Sequence, residues 1–167
     1  MGIEIERKFL VIGTAWKEQA TPVACCQGYL CPGSGVSVRV RTMGGQGFLT
    51  VKGRGKGLAR PEYEYEIPVD EAREMLDELC VKPLILKERY RVVHDGLVWE
   101  VDEFAGENRG LVIAEVELAR PDQAVSLPAW VGREVSGDPR YYNASLAGNP
   151  YVRWGEQASG TAGAIRR

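Results

Sequence analysis

Short runs of this chain repeatedly place ionisable side chains two residues apart. Glu4, Glu6 and Lys8 alternate with Ile3, Ile5, Arg7 and Phe9, and Arg39 and Arg41 alternate with Val38 and Val40. Glu62, Glu64 and Glu66 alternate with Tyr63, Tyr65 and Ile67, while Thr50 and Lys52 lie opposite Leu49 and Val51. Lys87, Arg89 and Arg91 share one parity, as do Glu100 with Asp102 and Glu115 with Glu117. A period of two is that of a β-strand, so each set falls on one face of a sheet. Clustered carboxylates bind hard divalent cations through oxygen, and Mg²⁺ or Mn²⁺ would keep some water ligands. Arginine and lysine bind phosphate oxygens, arginine in bidentate fashion. Side by side, these groups are the equipment of phosphoryl transfer, where catalysis is largely positioning and charge stabilisation.

Any one of these strands is explained by the wet face of an antiparallel sheet, with polar residues out and apolar residues in. Taken together they fit that picture less well. Lys, Glu and Asp have poor strand propensity, yet nearly every run uses them, and the signs are grouped by strand. A sheet closed on itself with the charged face inward accounts for the grouping. Its apolar face would then point outward and need cover. The desolvation of so many charges is tolerable only if the cavity is wet and the charges compensate one another.

The elements that would carry these faces are mostly strands separated by glycine clusters. "IEIERKFLV", "ACCQGYLC", "VSVRVRTM", "FLTVKG", "RPEYEYEIPV", "LILKERYRVV", "LVWEVDEF" and "LVIAEVELA" read as strands, with turns at "PGSG", "GGQG", "HDG" and "AGENRG". "AWKEQA" suggests a short helix. "DEAREMLDELC" puts Ala72, Met75, Leu76 and Leu79 at helical spacing, with Asp70 as N-cap. The expected fold is mainly β (α+β): a closed eight-stranded antiparallel β-barrel with a few helices outside. The helix after Asp70 and the aromatic segment with Trp130, Tyr141 and Tyr142 are expected to cover it. Residues 1–155 are expected to form one domain and 156–167 a flexible tail. "GRGKG" at Gly53 to Gly57 lacks the phosphate-loop pattern and reads as a basic hairpin tip near a tunnel mouth.

Composition narrows the classes. A net charge of −2 over 167 residues argues against a strong field for nucleic acid or membrane surfaces. No apolar run approaches the roughly 20 residues a spanning helix needs. The N-terminus lacks a signal-peptide core, so a cytoplasmic protein is expected. Cys25, Cys26, Cys31 and Cys80 form no C-x-x-C pair and are expected as reduced thiols. His94, the only histidine, precedes an Asp-Gly turn and is expected as a hairpin residue.

The set "EIERK", "QGYL", "VRVR", "LTVKG", "EYEYEI", "KERYR", "WEVDEF", "AEVEL" and "RYYN", in that order over about residues 1–150, resembles the CYTH superfamily of triphosphate tunnel metalloenzymes, in its short bacterial form. The resemblance implies an eight-stranded barrel whose charged tunnel hydrolyses a triphosphate with Mg²⁺ or Mn²⁺. It implies that Glu4, Glu6 and Glu117 hold the principal ion. Glu115, Asp102, Glu62 and Glu64 would hold a second ion or orient the attacking water. Lys8, Arg39, Arg41, Lys52, Lys87 and Arg89 would grip the phosphate chain. Inorganic tripolyphosphate is the expected substrate. Alternatives are a nucleoside or thiamine triphosphatase, an adenylate cyclase of the family's cyclase branch, or a non-catalytic polyphosphate- or nucleotide-binding module. The His-Phe signature of the cyclase branch is missing, since Asp95 follows His94. A small-ligand barrel with its charges outside, resembling a lipocalin, is the remaining alternative.

Overall fold

In the computed structural model, which describes residues 2–31 and 35–155, alternation has become a closed barrel. Strands β1 (Gly2–Val11), β2 (Val23–Tyr29), β3 (Ser37–Met43), β4 (Gln46–Lys52) and β5 (Ala59–Ile67) precede helix α1 (Val69–Glu78). Strands β6 (Ile85–His94), β7 (Leu97–Phe104), β8 (Val112–Glu117) and β9 (Val131–Glu134) follow, and then helix α2 (Asn143–Gly148). The sheet runs β5-β4-β3-β2-β6-β7-β8-β1, every pairing antiparallel, and β5 pairs back to β1 to close eight strands. β9 is an extra strand alongside the end of β1. Closure leaves β1–β8 without a free edge, so their backbone groups find partners inside the barrel.

The outer face is apolar and covered in two places. Phe9, Tyr90, Val92, Trp99, Val101 and Val116 pack beneath Trp16 and Trp130, with the Trp99 and Trp130 rings 5.9 Å apart. Trp16 comes from a 3-10 turn at Ala15–Gln19, where a short helix was expected. On β2 to β4, helix α1 lays Ala72 and Leu76 over Val40 and Leu49. Gly47 permits this approach, because a Cβ there would stand 2.8 Å from the Ala72 methyl. Asp70 is not the N-cap: the helix begins at Val69 with Pro68 in that position, and Asp70 instead pairs with Arg73 within the first turn. Leu79 lies beyond the helix end and is exposed.

The C-terminal segment divides its work. Trp130 covers the outside as expected, but Tyr141 and α2 do not. Tyr141, Leu146 and Ala147 join Tyr29, Ile85, Phe104 and Ile113 in a separate apolar cluster. Cross-strand register puts Ile113 opposite Asp102, and Phe104 opposite Lys87, so these residues share the inner, charged face. The interior therefore changes from charged to apolar along its length, and α2 packs on the apolar part. His94 sits at the β6–β7 hairpin, where Asp95 and Gly96 both adopt positive φ, and its imidazole faces the Ser126 hydroxyl. The four cysteines are free thiols. No helix among the described residues is long and apolar enough to cross a membrane. The "PGSG" turn falls largely, and the 156–167 tail wholly, outside the described residues.

Candidate active site

Eight of the sequence-selected residues line one cavity of about 520 Å³: Glu4, Glu6, Lys8, Arg39, Lys52, Lys87, Arg89 and Glu115. Strand register brings them together. Lys8 on β1 is opposite Glu115 on β8, and its ammonium lies 3.0 Å from Glu115 Oε1 and 3.5 Å from Glu6 Oε1. Lys52 on β4 donates to both Glu4 oxygens, at 3.0 and 2.7 Å, and stands 3.1 Å from Glu62 Oε2. Arg39 and Arg41 on β3 approach Glu64 Oε2 at 3.5 and 3.3 Å, and Thr50 donates to the same oxygen at 2.7 Å. On β6 and β7, Arg89 grips Asp102 with two hydrogen bonds at 2.7 and 2.8 Å, while Lys87 donates to Asp102 Oδ2 at 2.7 Å.

The electrostatics differ across the cavity. On the β1–β8 side, burial pushes the Glu6 carboxyl up to about 7, assisted by the neighbouring carboxylates of Glu115 and Glu4 and opposed by Lys8 and Lys52. Burial also raises Glu115, but Lys8, Arg89 and Lys87 outweigh it and hold that group well below the usual range. Glu6 is thus the acid for which the wall lacks counter-charge. On the adjoining strands β6 and β7, burial would raise Asp102, yet Lys87 and Arg89 hold it low. Burial pulls Lys87 below its ordinary value in spite of Asp102.

The remaining candidates sit apart from the cavity lining. Asp102 is fully buried, with both oxygens engaged by Lys87 and Arg89. Arg41, Glu62 and Glu64 belong to the ion-paired wall of β3 to β5. Glu117 is exposed; it is directly opposite Glu6 and so shares the inner face at the barrel's edge. Arg91 is a rim residue, 70% exposed and 3.8 Å from Glu100. Among the described residues no three acidic, cysteine or histidine side chains yet converge as an ion cage. The donor chemistry nevertheless fits a divalent cation. Glu4 and Glu6 are oxygen donors on one strand face with Glu115 beside them, and the excess negative charge at Glu6 is what such an ion would neutralise.

Tyr29, Arg60, Ser136, Tyr142 and Asn143 also line the cavity and were not selected as site residues from sequence. Arg60 shares the parity of Glu62 and Glu64, and Tyr29 the parity of Gln27, so their strand faces could have been read. Tyr142 and Asn143 arrive on a segment expected outside the barrel. The basic tip is where it was expected, with Gly53, Arg54, Gly55 and Gly57 lining the same cavity.

Comparison with known proteins places the chain in a family. A CYTH domain model matches residues 2–142. The chain is 54% identical over 156 residues to an inorganic triphosphatase of Acetivibrio thermocellus, covering 93% of this chain and 100% of that protein. It is 41% identical over 148 residues to an inorganic triphosphatase of Nitrosomonas europaea, covering 86% and 96% respectively. A crystal structure of an inorganic triphosphatase superposes with a TM-score of 0.63 at 35% identity, covering 88% of this chain and 95% of that one. With the match spanning the barrel and every strand that faces the cavity, this chain belongs to the CYTH domain family.

Proposed function

We propose that this protein is a metal-dependent hydrolase that cleaves inorganic tripolyphosphate to pyrophosphate and orthophosphate inside the barrel. The observation that carries the reading is the pairing of two walls in one cavity: carboxylates in excess on β1 and β8, and cations from β1, β3, β4 and β6. Relatives that match nearly the whole chain bear the name inorganic triphosphatase. The two tyrosines lining the cavity favour an inorganic chain over a nucleotide or thiamine ester. Tyr29 is packed into the apolar cluster, and Tyr142 already has Arg60 and Lys8 at 5.8 and 6.0 Å from its ring centre. Neither presents the open stacking platform that a base or thiazole would need.

In this reading Glu4 and Glu6 hold Mg²⁺ or Mn²⁺, with Glu115 or Glu117 completing the set. When bound there, such an ion would supply charge neutralisation for phosphate oxygens and would lower the pKa of a bound water. Lys8, Arg39 and Lys52 each lie against a carboxylate and re-aim toward phosphate oxygens when substrate enters. Lys87 and Arg89 stay on Asp102 and offer their remaining N–H donors. Arg39 and Arg89 can bind phosphate oxygens in bidentate fashion. Asp102 keeps Lys87 and Arg89 charged and aimed, and Glu62 and Glu64 do the same for Lys52, Arg39 and Arg41. A carboxylate left free by the ion orients the attacking water in line with the terminal phosphorus, and pyrophosphate leaves with its charge held by the cations.

Phosphate release from tripolyphosphate, ATP, thiamine triphosphate and pyrophosphate, each with Mg²⁺, Mn²⁺ and Ca²⁺, tests the assignment. The expected result is turnover of tripolyphosphate above the others, with Mg²⁺ or Mn²⁺. Tight binding without turnover under every metal would leave a binding module and overturn the hydrolase.

A further inference from the structure

Asn143 is the first residue of α2, and through its side chain that helix hydrogen-bonds to the cation wall. Its side-chain oxygen accepts from Lys87 Nζ at 3.1 Å and from Gln27 Nε2 at 2.9 Å. All three residues are buried, Gln27 completely. The helix is fixed from behind, because Leu146 and Ala147 are buried in the apolar cluster with Ile85 and Phe104.

We propose that Asn143 is a positioning residue for Lys87, so that the C-terminal segment sets the aim of a phosphate-binding cation. An ammonium has three N–H donors and no acceptor. Asp102 takes one and Asn143 a second, which leaves the third for a phosphate oxygen in the cavity that Lys87 lines. Asp102 alone would let the group rotate about a single strong ion pair. A second acceptor from a different element fixes its direction. Gln27 supplies the remaining control. A carboxamide can present either its oxygen or its NH₂, and Lys87 can use only the oxygen. By donating into that same oxygen, Gln27 keeps the acceptor side turned toward Lys87.

The inference rests on the triphosphatase reading, and a double-mutant cycle tests it in two measurements. Asn143→Ala, Lys87→Met and the double variant are compared in kcat/KM for tripolyphosphate with Mn²⁺. They are also compared in Kd for tripolyphosphate under chelator, by calorimetry. Losing one hydrogen bond to a charged group predicts a fall of about tenfold to a hundredfold in kcat/KM for Asn143→Ala. The same substitution in the Lys87→Met background is expected to cost less than about twofold further. Gln27→Met, close in shape, is expected to give a smaller loss that also vanishes in that background, and it serves if Asn143→Ala does not fold. Losses that simply add, in turnover or in Kd, overturn the positioning role. If the unaltered protein turns over no triphosphate with any metal, the hydrolase reading falls, and the Kd cycle still decides whether Asn143 acts through Lys87.

Discussion

Two adjoining regions of the cavity wall, β6–β7 and β8–β1, use the same residue types to opposite ends. Around Asp102 the carboxylate is fully answered: one buried acid, two cations and three hydrogen bonds between 2.7 and 2.8 Å, with Arg89 also reaching Glu100 at 3.0 Å. Around Glu6 the charges are left open. Three carboxylates meet there with Lys8 and Lys52 between them, and burial, with the neighbouring Glu115 and Glu4, pushes Glu6 up to about 7. In the proposed function the closed side, around Asp102, is the scaffold that holds cations toward substrate. The open side is, in the same proposal, the acidic wall that takes the counter-ion. A chain that needed stability alone would have closed both.

The largest effect is expected from breaking the closed side. Asp102→Ala leaves Lys87 and Arg89 buried without their shared anion, which costs roughly 3–5 kcal/mol for a disrupted buried pair. Denaturant unfolding should show that loss at neutral pH, together with loss of turnover. On the open side the expectation is reversed. Glu4→Ala and Glu117→Ala should each lower metal-dependent phosphate release at least about a hundredfold, comparable to losing one preorganised charge-stabilising group. Their melting transitions should stay close to that of the unaltered protein. Full activity in both would remove the acidic wall from the mechanism.

How the charge pattern became legible before any coordinates, and where it stopped, follows the same division. Period-two alternation exposes the face a strand presents, so Glu4, Glu6, Lys8, Arg39, Lys52, Lys87, Arg89 and Glu115 could be grouped from sequence and do line one cavity. Alternation cannot say how far along the barrel a residue sits. Arg91 has the parity of Arg89 but ends on the rim, and Asp102 has the parity of Glu100 but lies fully buried. β9 was hidden because Val131–Glu134 is four residues long and exists through its long-range register with β1. The segment from Pro121 to Pro150 carries a short helix signal, but neither the bounds of α2 nor its place on the apolar interior could be read from it. Six residues are too few to show a helical period, and the apolar partners Ile85, Phe104 and Ile113 are contributed from distant strands.

A subtler contrast between the sides appears in pH. In the metal-free protein Glu6 is raised from 4.5 to about 7, so its protonated form favours the fold. That contribution is full below about pH 4.5 and is lost as pH rises through about 7. Asp102 is shifted the other way, so its contribution is lost only as pH falls below the ordinary carboxylate range. Melting temperature under chelator should therefore decline between pH 5 and 8, about the window set by Glu6. Glu6→Gln should flatten that decline; an unchanged profile would mean that Glu6 is not the strained acid. The smallest effect belongs to the rim. Arg91→Ala removes one exposed ion pair with Glu100 and should cost less than about 1 kcal/mol, with turnover changed by no more than about twofold.

The most direct measurement is a Mn²⁺ titration of the melting temperature at about pH 8, where Glu6 is charged, in the unaltered protein and in Glu6→Gln. An ion that binds only the folded state raises the transition with the logarithm of its concentration once that exceeds the Kd. The open acidic wall predicts a clear upward shift in the unaltered protein that is largely lost in Glu6→Gln. An equal shift in both proteins, or none in either, would contradict it.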